Sequence, residues 1–451
     1  MPWSSGDSLN SKNLNNLGGN IFNVRGYGAV GNGSTDDTSA IQTALNAAVS
    51  NGGGIVFVPI GLYVINSELT LGTSVALIGA SNQNVGSDQT NGSTIKAGSS
   101  WSGSAMISAT TTLNSDIKNL RVLGGSDVTY GIYYTECKYG VLEDVCVDTF
   151  TGPGIYVKRT TSAYATTLRN VLAQNTVQAA SVGTWTGAVV VEATDCYLDK
   201  VEATSSSTNV AQGGNRVGIL VDGANTFVNS SIGEISETGI VVRASLCRLV
   251  NVRADLNYGD GLVLVGGKNQ LMGCLSLSNG QDTTNTYDGY VVETGSAGNV
   301  FVGCVADSEY AAKKHRYGFR HTSANVNQFV GCNSYGATTS AFSSAHPSVA
   351  AWQVANYQTT MTANDVTPSV ANSDALLTVA NGGATAITSL DDGVIGQRVT
   401  IICGSATNAP TLADSGNFKL SAAWTPGLYD TITLQCVDGT TWAEVARSAN
   451  A

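Results

Sequence analysis

Short segments that alternate apolar and polar residues recur through the middle of the chain. Nine of them superpose without gaps and begin between residues 117 and 329: IKNLRV, LEDVCV, LRNVLA, LDKVEA, VNSSIG, LVNVRA, LMGCLS, FVGCVA and FVGCNS. After a variable loop, eight are followed by a second apolar segment that opens with a glycine, at positions 131, 154, 187, 218, 239, 261, 289 and 318. The copy after the ninth, AFSSAH, is degraded. The pattern predicts a repeating unit of two strands.

No single unit could bury its apolar side alone, and none has a helical period. Stacking the units as coils of a parallel β-solenoid closes a common core, so the chain is predicted to be all-β. In this register Cys274, Cys304 and Cys332 share one column with aliphatic residues of the earlier coils. The nine cysteines are an odd number without a CxxC pair, so we interpret these three as reduced thiols packed in the core.

The start of the repeat region has a different pattern: strand, glycine-rich turn, helix, turn and strand. Asp37 is a plausible N-cap, residues 38–50 have one apolar side, and Asn51-Gly52 ends the predicted helix. A short helix here would cover the open end of the first coil.

The run YGAVGNGSTDDTSAIQ, followed by GGGIVFVPIGLYVI and LTLGTSVALIGAS, resembles the pectate-lyase-like superfamily. The resemblance implies a right-handed single-stranded parallel β-helix with an N-terminal capping helix. Members include polysaccharide lyases, glycoside hydrolases, epimerases and bacteriophage tailspike and tail-fibre depolymerases, so the motif does not specify one activity. Asp36 and Asp37 belong to this motif, and we assign them to capping rather than catalysis.

Both ends of the chain resemble bacteriophage tail proteins. The opening PWSSGDSLNSKNLNNL is similar to a leader of tail and baseplate proteins, and the last 55 or so residues are similar to small C-terminal β domains. The predicted layout is a leader or virion-attachment segment (1–20), a β-helix with its cap (21–350), a linker (351–364) and a sandwich-like β domain for trimerisation or carbohydrate binding (365–451).

The net charge of −11 argues against a nucleic-acid partner, because phosphate recognition requires an excess of Lys and Arg. No apolar stretch is long enough for a membrane span, and the N-terminus lacks the pattern of a signal peptide. We therefore expect a virion tail protein that acts outside the cell without membrane insertion.

Two pairs of carboxylates fall on consecutive coils. Glu234 and Asp255 directly follow the first strand of their units, and Asp260 and Asp288 directly precede the second. Stacked strands lie about 4.8 Å apart, so each pair could serve as acid, base or nucleophile in glycoside hydrolysis. The alternatives are turn residues that bond their own backbone, solvated charges, or a calcium site. We predict no metal and no cofactor.

The surrounding loops supply residues that suit a sugar polymer. Tyr258, Tyr287, Tyr310 and Trp185 offer flat apolar faces, and Arg253 offers a cation on an outward strand position. The sequence thus predicts a polysaccharide-binding surface beside the carboxylates.

A lyase would use a different group as its base. The loop of the eighth unit contains KKHR (residues 313–316), and His315 could be that base, while Arg243 and Arg253 could neutralise a uronate. We favour the simpler interpretation that KKHR is a solvated loop. His321 occupies an inward position and is interpreted as structural.

An apolar stripe is predicted at outward positions of the second strands. Its members are Tyr133, Tyr156, Val189, Leu220, Val241, Val263 and Val291. An exposed stripe of this length should be covered, and phage spikes with this fold are typically trimers, so we expect a homotrimer.

The sequence is compatible with three functions. The first is a tailspike depolymerase that hydrolyses a bacterial surface polysaccharide and assembles with phage tail or baseplate proteins. The second is a receptor-binding or structural tail protein without activity. The third is a polysaccharide lyase.

Overall fold

The computed structural model describes residues 20–82, 91–176, 185–205, 216–309, 311–322, 327–343, 349–353, 358–370 and 373–450. Within them, 30 strands form one sheet whose neighbouring strands are parallel throughout. Strands far apart along the chain pair because each coil stacks on the one before. The chain is therefore a parallel β-helix, as predicted.

Each coil has three faces rather than the two strands predicted. The predicted first strand is bent by a residue in the left-handed conformation, such as Asp144 (φ 54°), Asn251 (φ 52°) or Gly303 (φ 60°). Asn, Asp and Gly tolerate this conformation better than other residues. The bend splits the segment into a second and a third face, and the glycine-led segment of the repeat is the first face.

The strands of the first coils and their cap are Ile21–Asn23, Asn32–Asp36, Gly54–Val58, Gly61–Leu71, Val75–Gly79 and Ser93–Thr110. First-face strands of the later coils are Tyr130–Thr135, Ile155–Lys158, Thr186–Val191, Arg216–Val221, Thr238–Val242, Leu262–Leu264, Tyr290–Val292, Tyr317–His321 and Ser340–Phe342.

The second and third faces are continuous in the earlier coils: Asp116–Leu123, Val141–Asp148, Thr167–Thr176 and Tyr197–Ser205. Later second-face strands are Phe227–Asn229, Arg248–Val250, Gln270–Met272, Val300–Val302, Asn327–Val330 and Val349–Gln353. The matching third-face strands are Ile232–Glu234, Arg253–Asp255, Leu275–Leu277, Val305–Asp307 and Asn333–Tyr335.

The helix α1 (Thr38–Ser50) buries Ile41, Leu45 and Ala48 against the first coils. Asp37 precedes it but does not cap it with its side chain, which differs from the prediction. Its carboxylate instead accepts hydrogen bonds from the Val30 and Gly31 amides (2.6 and 3.0 Å), so it holds the glycine-rich turn. Asp36 accepts the Thr38 amide hydrogen (3.0 Å) in the capping role.

The three cysteines of the repeat lie inside the tube, as predicted. Cys274, Cys304 and Cys332 are at most 1% exposed, and each follows a left-handed glycine. Contact with the two neighbouring thiols and burial raise the pKa of Cys304 well above its usual value. All nine cysteines are free and buried. They act as small apolar groups.

Buried asparagines connect the coils at two corners. Asn269, Asn299 and Asn327 form one ladder: the Asn269 amide donates to Asn299 Oδ1 (2.9 Å), and the Asn299 amide donates to Asn327 Oδ1 (2.9 Å). Asn257 and Asn279 form another, with the Asn257 amide 3.1 Å from Asn279 Oδ1. All five are fully buried, so each side chain satisfies backbone groups that no strand partner reaches.

We expect Asn299→Ala to lower the free energy of unfolding by about 2 kcal/mol or more, since it leaves the Asn269 amide without its acceptor in the core. Urea unfolding measures this. Gln328→Ala, at an exposed position of the next coil, is the control and should change stability by less than about 0.5 kcal/mol. Equal stability of the two variants would contradict the ladder's role.

The C-terminal region contains a second, mixed sheet with its own apolar core around Trp442, Phe418 and Ile401. Its strands, in spatial order, are Gln358–Thr360, Ala375–Leu377, Arg398–Ile402, Thr431–Cys436, Trp442–Ser448 and Phe418–Lys419. Ala386–Ile387 and Thr411–Leu412 pair separately. Strands Val349–Gln353 and Gln358–Thr360 both reach into the range predicted as a linker. The predicted leader lies outside the described residues, apart from Asn20.

Candidate functional site

Carboxylates concentrate where the third face of one coil turns into the first face of the next. We call this region the acidic corner and define it by Glu234, Glu237, Asp255, Asp260 and Asp288. The Asn257–Asn279 ladder holds its turns in place, and Asn257 Oδ1 also accepts a hydrogen bond from the Ser236 amide (3.0 Å). Side chains on successive turns therefore project from a rigid backbone.

Glu234 and Asp255 occupy directly paired backbone positions, as the sequence predicted. Both are partly buried at the ends of third-face strands. Burial raises the pKa of Glu234, and the negative charges of Glu202 and Asp255 act in the same direction. Burial also raises the pKa of Asp255, but the nearby Arg253 opposes this, with its Nε 3.4 Å from the carboxylate. Arg253 also opposes the rise in the pKa of Glu234, but only Asp255 lies within ion-pair distance of the guanidinium, and that contact favours the ionised form of Asp255.

Asp260 and Asp288 are also neighbours, joined by a hydrogen bond from the Asp288 amide to Asp260 Oδ1 (2.7 Å). Burial raises the pKa of Asp260 to about 6. The charge of Asp288 acts in the same direction, while Arg320 and Arg316 oppose it. Asp260 is thus a second carboxyl that can carry a proton near neutral pH.

Asp288 is not the accessible groove carboxylate that the sequence predicted. It is fully buried, and its oxygens accept hydrogen bonds from Arg316 (2.7 and 3.1 Å), from Arg320 Nε and from the Tyr317 amide (3.1 Å). A carboxylate with these partners has no oxygen free to attack a sugar or move a proton. Its visible role is to anchor two arginines.

The raised pKa of Asp260 predicts a pH-dependent stability. The folded state holds this proton more tightly than the unfolded chain, whose value is near 3.8, so the stabilisation is complete below about pH 4 and is lost as the pH rises through about 6. From pH 4 to pH 7 the free energy of unfolding of Asp260→Asn should therefore rise relative to that of the wild type, by at most about 3 kcal/mol. Urea unfolding at both pH values measures this, and an unchanged difference would contradict it.

The predicted sugar-binding residues are not all brought together. Tyr287 lies near the acidic corner. Burial raises the pKa of its hydroxyl, and the nearby charges of Asp282, Glu237 and Asp260 act in the same direction. Tyr258 lies on the turn that follows Asp255, and its amide donates to the Ser236 carbonyl (2.8 Å). Tyr310 lies outside the described residues. Trp185, like Tyr156, packs instead against the apolar cluster of the first face that contains Val190 and Leu220.

One of the two histidines considered in the sequence differs from its predicted exposure. His315 was predicted in a solvated loop but is fully buried, and burial lowers its pKa to about 4. It therefore cannot reach the C5 proton of a bound polymer as the base of a lyase. His321 is inward, 2.9 Å from Asn327 Nδ2, as predicted. Arg243 forms an ion pair with Asp222 (3.4 Å) on the first face.

The apolar stripe exists, but two parts of the prediction are wrong. The stripe contains Val190 rather than the predicted Val189, which points inward. Val190 pairs with Tyr156 on one side and with Leu220 on the other. The aliphatic members of the stripe are at most 4% exposed within the single chain. The stripe needs no partner subunit, so it does not support a trimer.

Glu237 is the residue of the acidic corner that the sequence analysis missed. Burial raises the pKa of its carboxyl, and Oε2 accepts the Arg216 amide (3.3 Å). It immediately precedes Thr238, one position before the column used to find Asp260. Extending that column by one residue would have found it.

No group of three or more His, Cys, Asp or Glu side chains that could hold a metal ion occurs among the described residues. No described helix has the length and apolar character needed to cross a membrane.

Residues 21–123 match a family model described as rhamnogalacturonase A/epimerase, pectate lyase-like. Among curated proteins, mannuronan C5-epimerase AlgE3 of Azotobacter vinelandii is 42% identical over 66 residues, which are 13% of this chain and 4% of that protein. The aligned segment is thus a small part of the relative.

Solved structures show the same fold over much more of the chain. The A-module of Azotobacter vinelandii mannuronan C-5 epimerase AlgE4 aligns with 74% of this chain and 100% of its own, with a TM-score of 0.51 and 18% identity. Full-length tailspike protein 2 of the Escherichia coli O157:H7 bacteriophage CAB120 aligns with 95% of this chain and 63% of its own, with a TM-score of 0.53 and 13% identity. Identities this low establish the fold alone. The chain is therefore a parallel β-helix protein whose N-terminal region is pectate-lyase-like.

Proposed function

We propose that this protein is a bacteriophage tail component that binds a bacterial surface polysaccharide at the acidic corner and cleaves it by glycoside hydrolysis. The observation that carries the proposal is the pair Glu234 and Asp255: two partly buried carboxyls on directly paired positions, with a guanidinium beside one of them. Paired strands place such groups about 5 Å apart, which is the separation used for hydrolysis with retention of configuration.

The two carboxyls divide the reaction between them. Glu234, with its raised pKa, protonates the glycosidic oxygen as the bond to the anomeric carbon breaks. Asp255, in contact with Arg253, attacks that carbon as a carboxylate and forms a glycosyl ester. Glu234 then takes a proton from water, which attacks the ester and releases both the sugar and Asp255. Tyr258 and Tyr287 supply ring faces next to this site.

The likeness to a tailspike fold supports the tail context. The matches to an epimerase sequence and to a pectate-lyase-like family model support a polysaccharide as the ligand. A homotrimer and contacts with tail or baseplate proteins belong to this proposal through the tailspike likeness alone. The C-terminal sheet is proposed to serve trimerisation or carbohydrate binding.

The purified protein, incubated with isolated bacterial surface polysaccharides, tests the reaction class. We expect new reducing ends, no absorbance near about 235 nm, and a first-formed anomer with the configuration of the substrate by NMR. Absorbance at that wavelength would indicate elimination by a lyase. Binding without any new ends would indicate a receptor-binding protein, and either result would overturn the hydrolase.

A further inference from the structure

Three turns lie on one another where the third face of the last coils leads into the first face. We call them the loop stack and define it by residues 280–287, 311–316 and 336–339. The Asn285 amide donates to the Lys314 carbonyl (3.0 Å), and the Thr338 amide donates to the His315 carbonyl (3.0 Å). Asn285 Oδ1 also accepts the hydroxyl groups of Thr338 (2.6 Å) and Thr339 (2.8 Å). The three turns are therefore bonded from coil to coil, as the strands are.

His315 lies inside the loop stack with its ring fully buried. Gly280 of the preceding coil faces its backbone. Among the residues that the structure describes, neither Nδ1 nor Nε2 of the ring has a hydrogen-bond partner. Protonation would add a charge and a second N–H donor that nothing nearby satisfies, which is costly in a buried position. The ring therefore fits its surroundings in the neutral form.

The charged groups around the ring do not supply a counter-ion for it. Asp288 and Asp307 favour a proton on the ring, whereas Lys314 opposes it. The oxygens of Asp288 are already held by two guanidinium groups, and Asp307 Oδ1 accepts a backbone amide (2.8 Å). Residues 336–339 carry no charge. Burial has the largest effect, and the pKa of His315 is lowered to about 4.

The loop stack should therefore lose stability as the pH falls. A solvated His315 takes up a proton near pH 6.5, whereas the enclosed ring does so near pH 4. Protons thus bind the open form in preference to the closed one, so the open fraction is smallest above pH 6.5 and grows down to pH 4. These two values imply that the equilibrium constant for opening rises about 20-fold from pH 7 to pH 5.

Contacts on both sides confine the opening to the loops. Asp288 is tied to Arg316 where the first-face strands begin. On the other side, the Gly280 amide donates to the Gly259 carbonyl of the preceding coil (2.9 Å). The part that is free to move ends at Tyr287, which lies near the acidic corner. Opening would loosen the turn beside that corner and leave the strands paired.

We propose that His315 is a pH-sensitive latch of the loop stack. The neutral ring keeps the three turns together, and uptake of a proton from the solvent opens them while the β-helix stays folded. The latch changes the border of the acidic corner whether or not that corner cleaves a polysaccharide.

Hydrogen–deuterium exchange at pH 7 and pH 5, with labelling times scaled to the intrinsic exchange rate at each pH, tests the latch. We expect protection of the Asn285 and Thr338 amides to fall about 20-fold at pH 5. Protection of the strand amides of Leu262 and Val300 should change by less than about twofold. His315→Phe keeps a buried ring without a titrating nitrogen, so the fall at the loop amides should shrink to less than about twofold.

His321→Gln is the matched control, because it replaces a second buried histidine, which lies 2.9 Å from Asn327 Nδ2. This variant should keep the full fall in loop protection. The proposal is overturned if the wild-type loops lose no more protection than the strands, or if His315→Phe behaves like the wild type. It is equally overturned if His321→Gln abolishes the effect.

A measurement on the wild type makes the test independent of whether His315→Phe folds. The chain contains three histidines, so NMR of a histidine-labelled sample can follow each ring separately. We expect the His315 resonance to titrate with a midpoint below 6.5 in the folded protein. A midpoint at 6.5 or above would show that enclosure does not disfavour the proton, and the latch would be rejected.

Discussion

Glu234→Gln and Asp255→Asn should each lower the rate of polysaccharide cleavage by about 10³-fold, while the Kd for the polymer changes by less than about threefold. The amide of Gln cannot donate the proton that the leaving oxygen needs, and the amide of Asn cannot attack the anomeric carbon. Both amides preserve the size of the side chain, so the shape of the site stays the same. Release of reducing ends and affinity electrophoresis measure the two quantities.

Asp307→Asn is the matched control for this pair. Asp307 lies in the same column as Asp255, but its neighbours in that column are Leu277 and Tyr335, so it has no second carboxylate. We expect this variant to cleave at the wild-type rate. The assignment of Glu234 and Asp255 would be refuted if their variants retained activity, or if all three variants lost it equally.

Asp288→Ala should lower the free energy of unfolding by about 3–5 kcal/mol, the largest stability effect expected here. The substitution leaves the guanidinium groups of Arg316 and Arg320 without the carboxylate that both contact, and the Tyr317 amide without its acceptor. Urea unfolding measures the loss.

A second variant separates the ion pairs from the loss of packing. Asp288→Leu combined with Arg316→Met and Arg320→Met removes the charges together and should recover most of the stability, because no cation is left unpaired. Wild-type stability of Asp288→Ala would show that the two arginines do not depend on this carboxylate. Failure of the triple variant to recover would assign the loss to shape rather than charge.

The sequence predicted the β-helix and the pairing of coils with accuracy because both depend on spacing. Glu234 opposite Asp255, and the inward column of Cys274, Cys304 and Cys332, follow from aligning repeats that differ only in loop length. One alignment error shows the limit: Gly187 was matched to Gly218, whereas the register places Ala188 there. The shift by one residue reversed the side on which Val189 lies.

Three features were within reach of the sequence but were not used. The asparagine before each of the strings QLMGC and QFVGC (Asn269 and Asn327), and Asn299 before VFVGC, marked the buried ladder. The Asp, Asn or Gly in the middle of most long segments marked the bend that creates the third face, whereas Lys200 and Ser230 occupy that position in two coils. Glu237 lies one position before Thr238, which belongs to the same column as Asp260 and Asp288.

The sequence by itself determined which residues share a column, since a repeating backbone places equivalent positions on top of one another. Only the tertiary structure decided what surrounds each column. Asp288 and Asp260 have similar sequence contexts, yet one is tied to two arginines from the next coil and the other keeps a raised pKa. Burial and charge depend on the side chains that neighbouring coils contribute, as Arg316 and Arg320 do for Asp288, and the periodicity along the chain does not record which contacts those side chains make.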